Sequence, residues 1–341
     1  MSRLRVLLLT DTSLVPPEEY KGKDYTREPW KTEYDVQTTL GELGHQVRVL
    51  GFLRDVESLQ AIEREWKPHI VFNMLEDVYG VIPYDHNVVA LLELLGMAYT
   101  GCNPLGLLLS RDKALAKKLL SYHRIRVPEF MVCRRDQKVR RPKRLRFPLF
   151  VKPLIEDASL GISRQSVVHD DAALAERIAF VHDQLETDAI AEHFIPGREI
   201  YVAVLGNQRL DVFPPWELVI ERQPEGEPLV ATRWVKWHDA YQKRLGVRTG
   251  PAEDLPEGLD ARLTRITRRA YRVLHLSGYA RLDFRITESG EPYLLEANAN
   301  PQIAFGEDFA ESAELAGLSY ARLIQRILNL GIRWKQAHEV I

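Results

Sequence analysis

At 341 residues, 45% hydrophobic and 28% charged, the chain exceeds one ordinary core and has the balance of two or three compact subdomains, not of a disordered or membrane protein. A net charge of −2 argues against a dedicated nucleic-acid binder, so the basic run Lys138-Val139-Arg140-Arg141-Pro142-Lys143-Arg144 reads as a solvated connector in preference to a phosphate track. Cys102 and Cys133 have no CxxC spacing, which excludes a disulfide framework or zinc site, and no apolar stretch approaches the roughly 18 residues of a membrane helix.

The opening Met1-Ser2-Arg3-Leu4-Arg5 and Val6-Leu7-Leu8-Leu9 have the shape of a leader peptide. Asp11 interrupts the short apolar run, so a buried strand over 5–9 and a cytoplasmic location are expected. Helical spacing over 33–43, alternation over 46–50, a buried strand over 69–73 and a helix over 86–95 closed by Gly96 then describe a doubly wound α/β unit with a parallel sheet. Between its first strand and first helix lies a long connector, 12–32, rich in Pro, Tyr and charge, at a place where such segments carry function or are disordered. A helix over 112–122, a strand opening at Pro128, a strand over 147–152, an amphipathic helix over 170–184 and a strand over 189–192 follow. After Gly197 the pattern turns antiparallel, with strands over 199–205, 209–213 and 230–237. A helix over 259–276 precedes strands over 280–286 and 292–297, joined by a turn at Ser289-Gly290, and an amphipathic helix covers 320–330.

Three clusters could carry chemistry. Arg281-Leu282-Asp283-Phe284 faces Leu294-Leu295-Glu296-Ala297-Asn298 across the Ser289-Gly290 turn. Residues two apart on a strand share a face, so with these strands paired, Asp283, Glu296 and Asn298 converge as hard oxygen ligands suited to Mg²⁺. A solvated hairpin face with cross-strand charge pairs would explain one such pair, but the flanking Leu282, Phe284, Leu294 and Leu295 make this hairpin half-buried. Lys113, opening a helix after Ser110-Arg111-Asp112, and Lys152, ending a strand before a loop that reaches Gly161, each suit a phosphate oxygen, although taken alone each is a weak signal, because exposed lysines are nearly always solvated. No GxxxxGK[ST] or GxGxxG loop accompanies them, so neither a P-loop enzyme nor a dinucleotide fold is indicated. In Ala191-Glu192-His193-Phe194-Ile195-Pro196-Gly197-Arg198-Glu199 a strand runs into a turn between subdomains, which either frees backbone groups for a ligand or merely connects.

In order and spacing these clusters resemble the ATP-grasp superfamily, most closely the D-alanine:D-alanine ligases. The resemblance spans about two-thirds of the chain. It rests on Tyr99-Thr100-Gly101, Arg111-Asp112-Lys113, Phe150-Val151-Lys152-Pro153, Ser159-Leu160-Gly161-Ile162-Ser163, the segment 192–199, Val204-Leu205-Gly206, Gly278-Tyr279-Ala280-Arg281-Leu282-Asp283-Phe284 and Leu294-Leu295-Glu296-Ala297-Asn298. It implies an α/β and α+β fold: an N-terminal Rossmann-like substrate domain over 1–101, and two α+β subdomains, 102–192 and 193–341, that clasp ATP between antiparallel sheets. It also implies that Lys113 and Lys152 contact ATP phosphates, that the backbone through Glu192, Phe194 and Ile195 reads the adenine edge, and that Glu199 bonds the ribose. Lys236 would be a third cation near the phosphates and Ser159 would lie in a loop over the γ-phosphate. Asp283, Glu296 and Asn298 match the family's ligands for Mg²⁺, with Mn²⁺ as an alternative, and Arg281 matches the arginine that stabilises the transferring phosphoryl group.

The departures lie in the substrate half. The family's glycine-rich loop after the first strand gives way to Asp11-Thr12-Ser13-Leu14-Val15-Pro16-Pro17 and the long connector, so Glu33 or Glu76 is expected to hold an ammonium, with Tyr20, Tyr25 and Trp30 over the pocket as a lid. Where the family has a serine for the second substrate's carboxylate, this chain has Glu307, which would repel one. The resemblance therefore implies an ATP-dependent carboxylate–amine ligase acting through an acyl phosphate on small molecules other than simply D-alanine. No nucleic acid or membrane partner is expected, and a homodimer is left open. The alternatives are authentic D-alanine:D-alanine ligation, and a non-catalytic ATP-binding sensor or scaffold, which would have no need of Arg281.

Overall fold

The computed structural model describes residues 3–17, 20, 24–53, 55–78, 80–155, 161–222, 229–230, 232, 235 and 238–338. Strand β1 (Arg5–Asp11) lies between β2 (Gln46–Phe52) and β3 (Ile70–Asn73), parallel to both. Its alternate residues face opposite ways. Val6 and Leu8 pack with Val36 and Leu40 of helix α1 (Lys31–Glu42) and with Leu323, Ile324 and Ile327 of the last helix (Tyr320–His338). Leu7 and Leu9 join Leu59 of α2 (Val56–Trp66) and Val88, Val89 and Leu92 of α3 (Asp85–Leu94). Burial on both faces is why this strand is an unbroken apolar run.

Helix α4 (Pro104–Arg111) starts on Asn103, whose side chain accepts from Gly106 N, with Pro104 at the first position. Asp112 ends it and at once caps α5 (Lys113–Tyr122), accepting from Ala114 N and Leu115 N, which fixes Lys113 at a helix start. A four-stranded sheet follows, ordered β4 (Phe130–Cys133), β7 (Ala189–His193), β5 (Leu149–Pro153) and β6 (Val167–Val168), packed against α6 (Asp171–Gln184) through Leu174, Ile178 and Val181. A second sheet runs β11 (Val247–Pro251), β10 (Trp216–Ile220), β8 (Arg198–Leu205), β12 (Tyr279–Ile286) and β13 (Pro292–Ala299), with β9 (Asp211–Val212) on β8. Helix α7 (Leu259–Val273) covers it through Leu263, Ala270 and Tyr271.

One irregularity positions the chemistry. The hairpin pairs Phe284 with Leu294, then Asp283 with Glu296, leaving Leu295 as an extra residue. Without this bulge Glu296 would oppose Leu282 and point into the core. With it, Leu294 stays beside Phe284 in the core, while Glu296 and Asn298 move to the face of Asp283 and Arg281.

Some expectations need correction. Helices α2 and α4 and strands β10 and β11 were not anticipated. Of the strand expected over 230–237, the described Val230, Thr232 and Val235 form no strand. Thr232 instead bonds locally, its N–H to Val230 O at 2.8 Å and its hydroxyl accepting from Val235 N at 3.2 Å. Lys236 and Ser159 lie outside the described residues.

Candidate active site

Cross-strand pairing sets Arg281 opposite Asn298 and Asp283 opposite Glu296, one square of polar side chains on one face. Arg281 donates through Nε and Nη2 to the two oxygens of Asp283, at 2.8 and 3.0 Å, and its guanidinium lies 4.6 Å from the centre of the Tyr201 ring. This bidentate geometry keeps the arginine charged and aimed. Nδ2 of Asn298 is buried with no hydrogen-bond partner. The Asn298 amide oxygen with the Asp283 and Glu296 carboxylates makes a hard-oxygen donor set that fits a divalent cation. Among the described residues no group of three or more acids, histidines or cysteines could hold a metal unaided. A hydrated Mg²⁺ needs only one or two carboxylates, its other positions being filled by water and nucleotide phosphates.

Two cavities meet at this face. One, of about 620 Å³ with its open mouth, is walled by Phe150, Phe194, Ile195, Val230 and Leu295, with Glu192, Glu199, Asp283 and Arg285 among its polar lining. The other is a wider cleft carrying Glu33, Glu76, Arg111, Lys113, Arg281, Asn298 and Glu307. Lys152, Ile162 and Glu296 line both, so a group passing from one cavity to the other must pass the Lys152 ammonium.

The lysines around that junction are out of water. Lys152 Nζ lies 3.1 Å from Glu192 Oε1 and 3.4 Å from Glu296 Oε2. Burial opposes its charge, but the two carboxylates outweigh burial and raise its pKa. Lys113 is 5% exposed, and burial, partly offset by Glu296, brings it down to about 8. Sequence reasoning missed a third member, Lys117, one turn further along α5 and 3.0 Å from Glu192 Oε2. Burial would raise the Glu192 carboxyl, but Lys117 and Lys152 hold it below its usual range.

In the smaller cavity the expected backbone reader is narrower than the sequence suggested. His193 N donates to Glu129 O and Phe194 N to Pro148 O, leaving Ile195 N–H as the donor in this span with no partner among the described residues. The Phe150 and Phe194 rings, 6.4 Å apart, give the cavity flat apolar walls. Glu199 accepts from the Tyr201 hydroxyl at 2.8 Å and from Arg285 Nη2 at 2.7 Å. Arg285, also missed, lines the cavity opposite Glu199 by strand register; the signal the sequence held was its place two residues beyond Asp283, on the same strand face.

In the wider cleft Glu33 is 4% exposed and accepts from Thr10 Oγ1 at 3.1 Å. Burial pushes its carboxyl up to about 7. Glu307, at the start of helix α8 (Asp308–Leu315), makes no cap bond and is raised by burial, with Lys31 partly opposing. The expected lid is corrected in part. Leu14 and Thr32 line the cleft, but Tyr20, Tyr25 and Trp30 do not; they pack on one another and on Tyr34, with the Tyr20 and Trp30 rings 4.6 Å apart. Tyr25 donates to Asp35, which also accepts from Lys31 and from Phe305 N. No helix among the described residues is long and apolar enough to cross a membrane.

The family model described as D-ala D-ala ligase C-terminus matches residues 119–329. An uncharacterized protein, y4sG, of Sinorhizobium fredii is 31% identical over 97% of this chain and 97% of its own length. The D-alanine--D-alanine ligase of Bordetella petrii is 33% identical over 76% of this chain and 74% of its own, and that of Syntrophotalea carbinolica is 35% identical over 74% and 76%. Among solved structures, the D-alanine--D-alanine ligase from Bacillus anthracis complexed with ATP has the same fold. Its TM-score is 0.75 over 98% of this chain and 100% of that one, at 21% identity.

Proposed function

Because the chain belongs to the D-alanine–D-alanine ligase family of ATP-grasp enzymes, ATP-dependent ligases that form C–N bonds, we propose that it joins a carboxylate to an amine through an acyl phosphate. The observation that carries this reading is the meeting of the two cavities at Lys152 and Glu296, beside the Arg281–Asp283 pair. The smaller cavity suits a nucleoside: aromatic walls for a base, Ile195 N–H for its edge, and Glu199 braced by Arg285 for ribose hydroxyls. Its phosphates would reach Lys113 and Lys152, and Asp283, Glu296 and Asn298 would hold Mg²⁺, which neutralises phosphate charge when bound.

In the wider cleft a carboxylate oxygen attacks the γ-phosphorus and ADP departs. Arg281 stabilises the transferring phosphoryl group and then the oxyanion formed when the amine nitrogen attacks the acyl carbon. Phosphate leaves with the former carboxylate oxygen, and the amine's proton goes to solvent. Catalysis here is positioning and charge neutralisation. Glu33, assisted by Glu76, holds the ammonium of an amino-acid carboxylate. Glu307 favours an amine that carries a second cationic or hydrogen-bond-donating group over one that carries a carboxylate. The second reading, D-alanyl-D-alanine formation, is favoured by the family match. A coupled ADP-release assay of amino acids against amines tests both. Turnover that needs a carboxylate and an amine together supports ligation, and efficient turnover with D-alanine alone would replace our substrate reading with the second. ADP release that ignores both substrates would refute ligation.

A further inference from the structure

We propose that Lys117 is a positioning residue of the nucleotide site, the permanent counter-ion of Glu192 that leaves Lys152 free to turn from Glu192 to a phosphate oxygen. The inference rests on the placing of nucleotide phosphates at Lys152. Lys117 is 1% exposed and lines neither cavity, so no ligand touches it. Its ammonium is held in place by Glu192 Oε2 at 3.0 Å and by the carbonyl of Leu295, the bulge residue, at 2.5 Å.

The reason lies in what Lys152 must give up. Its ammonium sits between Glu192 and Glu296, and Glu192 is 3% exposed. A carboxylate buried this deeply is costly without a cation beside it. If Lys152 were its sole partner, binding a phosphate would strand Glu192, and the ion pair would compete with the nucleotide. Lys117 on the opposite oxygen removes that competition. Both Glu192 oxygens therefore face lysines, but only one of the two lysines faces a cavity.

The test is nucleotide binding to the full chain by calorimetry, with ATP and with adenosine, in the presence of Mg²⁺. Lys117→Met should weaken ATP at least about tenfold, the scale of one charge-assisted contact, while adenosine, which has no phosphate, changes little. Removing the carboxylate as well, in Lys117→Met/Glu192→Gln, should restore most of the loss, because nothing then clamps Lys152. Wild-type ATP affinity in Lys117→Met, equal losses for ATP and adenosine, or no recovery in the double variant would each overturn the proposal. Should Lys117→Met alone fail to fold, the comparison is made within Glu192→Gln. There, adding Lys117→Met should leave ATP affinity nearly unchanged, and a loss of about tenfold would overturn it. The readout is binding, so a protein that binds ATP without ligating anything would sink the ligase reading and leave this test intact.

Discussion

Glu33→Gln should flatten the pH dependence of stability across neutrality. The Glu33 carboxyl is 4% exposed, it accepts a hydrogen bond from the Thr10 hydroxyl, and burial pushes it from an ordinary 4.5 up to about 7. A carboxyl raised in the folded state favours folding while it is protonated. Its contribution is complete below about pH 4.5 and disappears as pH rises through about 7. The gap corresponds to roughly 3 kcal/mol at ~1.4 kcal/mol per pH unit, an upper figure for one group. Denaturant midpoints of wild type and variant at pH 5 and pH 8 isolate it, because other titrating groups are common to both. Wild type should lose more stability than the variant between these values. A substrate ammonium would supply the missing charge, so amino-acid binding to the wild type should tighten as pH rises through about 7, and the variant should bind weakly at every pH. Identical pH slopes for the two proteins would refute the assignment of an uncompensated buried carboxyl.

Other consequences follow from the same geometry. Asp283→Asn or Glu296→Gln should abolish Mg²⁺-dependent ADP formation with the circular dichroism spectrum retained, because amide oxygens are poor substitutes for anionic ones; wild-type turnover would remove them from the metal site. Lys152→Ala should weaken nucleotide binding or turnover at least about tenfold, roughly 1.4 kcal/mol, and unchanged values of both would count against the phosphate role. Arg285→Met should raise the KM for ATP more than it lowers kcat, since Glu199 loses its brace but the reacting face is untouched; a kcat loss at constant KM would contradict this. Glu307→Ser should relax discrimination against D-alanine as the amine, read as the ratio of kcat/KM for D-alanine and for a diamine without a carboxylate, and an unchanged ratio would acquit Glu307.

Much of the frame was legible in the sequence because local chemistry and burial agree there. Strand β1 declared itself by an apolar run that both faces of the parallel sheet require, and the β12–β13 hairpin by the Ser289-Gly290 turn, where Gly290 N donates to Thr287 O. The convergence of Asp283 and Glu296 was expected from strand alternation, yet simple hairpin pairing would have set Glu296 against Leu282. The bulge at Leu295 that corrects this has no residue signal of its own. Its stabiliser, the Lys117 ammonium, comes from 178 positions away. For the same reason Lys117 and Arg285 escaped notice: a lysine on a helix and an arginine on a strand are ordinarily solvated, and only tertiary burial makes them part of a site. Helix α4 was legible in principle, through Asn103 as its cap and Pro104 at its first position. The aromatic residues of the connector suggested a lid, but Tyr25 and Trp30 find partners in Tyr34 and one another, and of the connector's described residues Leu14 and Thr32 line the cleft.

The central claim, that a carboxylate is activated by phosphorylation at the Lys152–Glu296 junction, is tested most directly by oxygen transfer. Amino acids carrying ¹⁸O in the carboxylate are turned over with ATP, Mg²⁺ and an amine panel, and the phosphate is examined by mass spectrometry. ADP should form together with phosphate bearing one ¹⁸O per amide bond made. AMP with pyrophosphate, or amide formation with unlabelled phosphate, would contradict it.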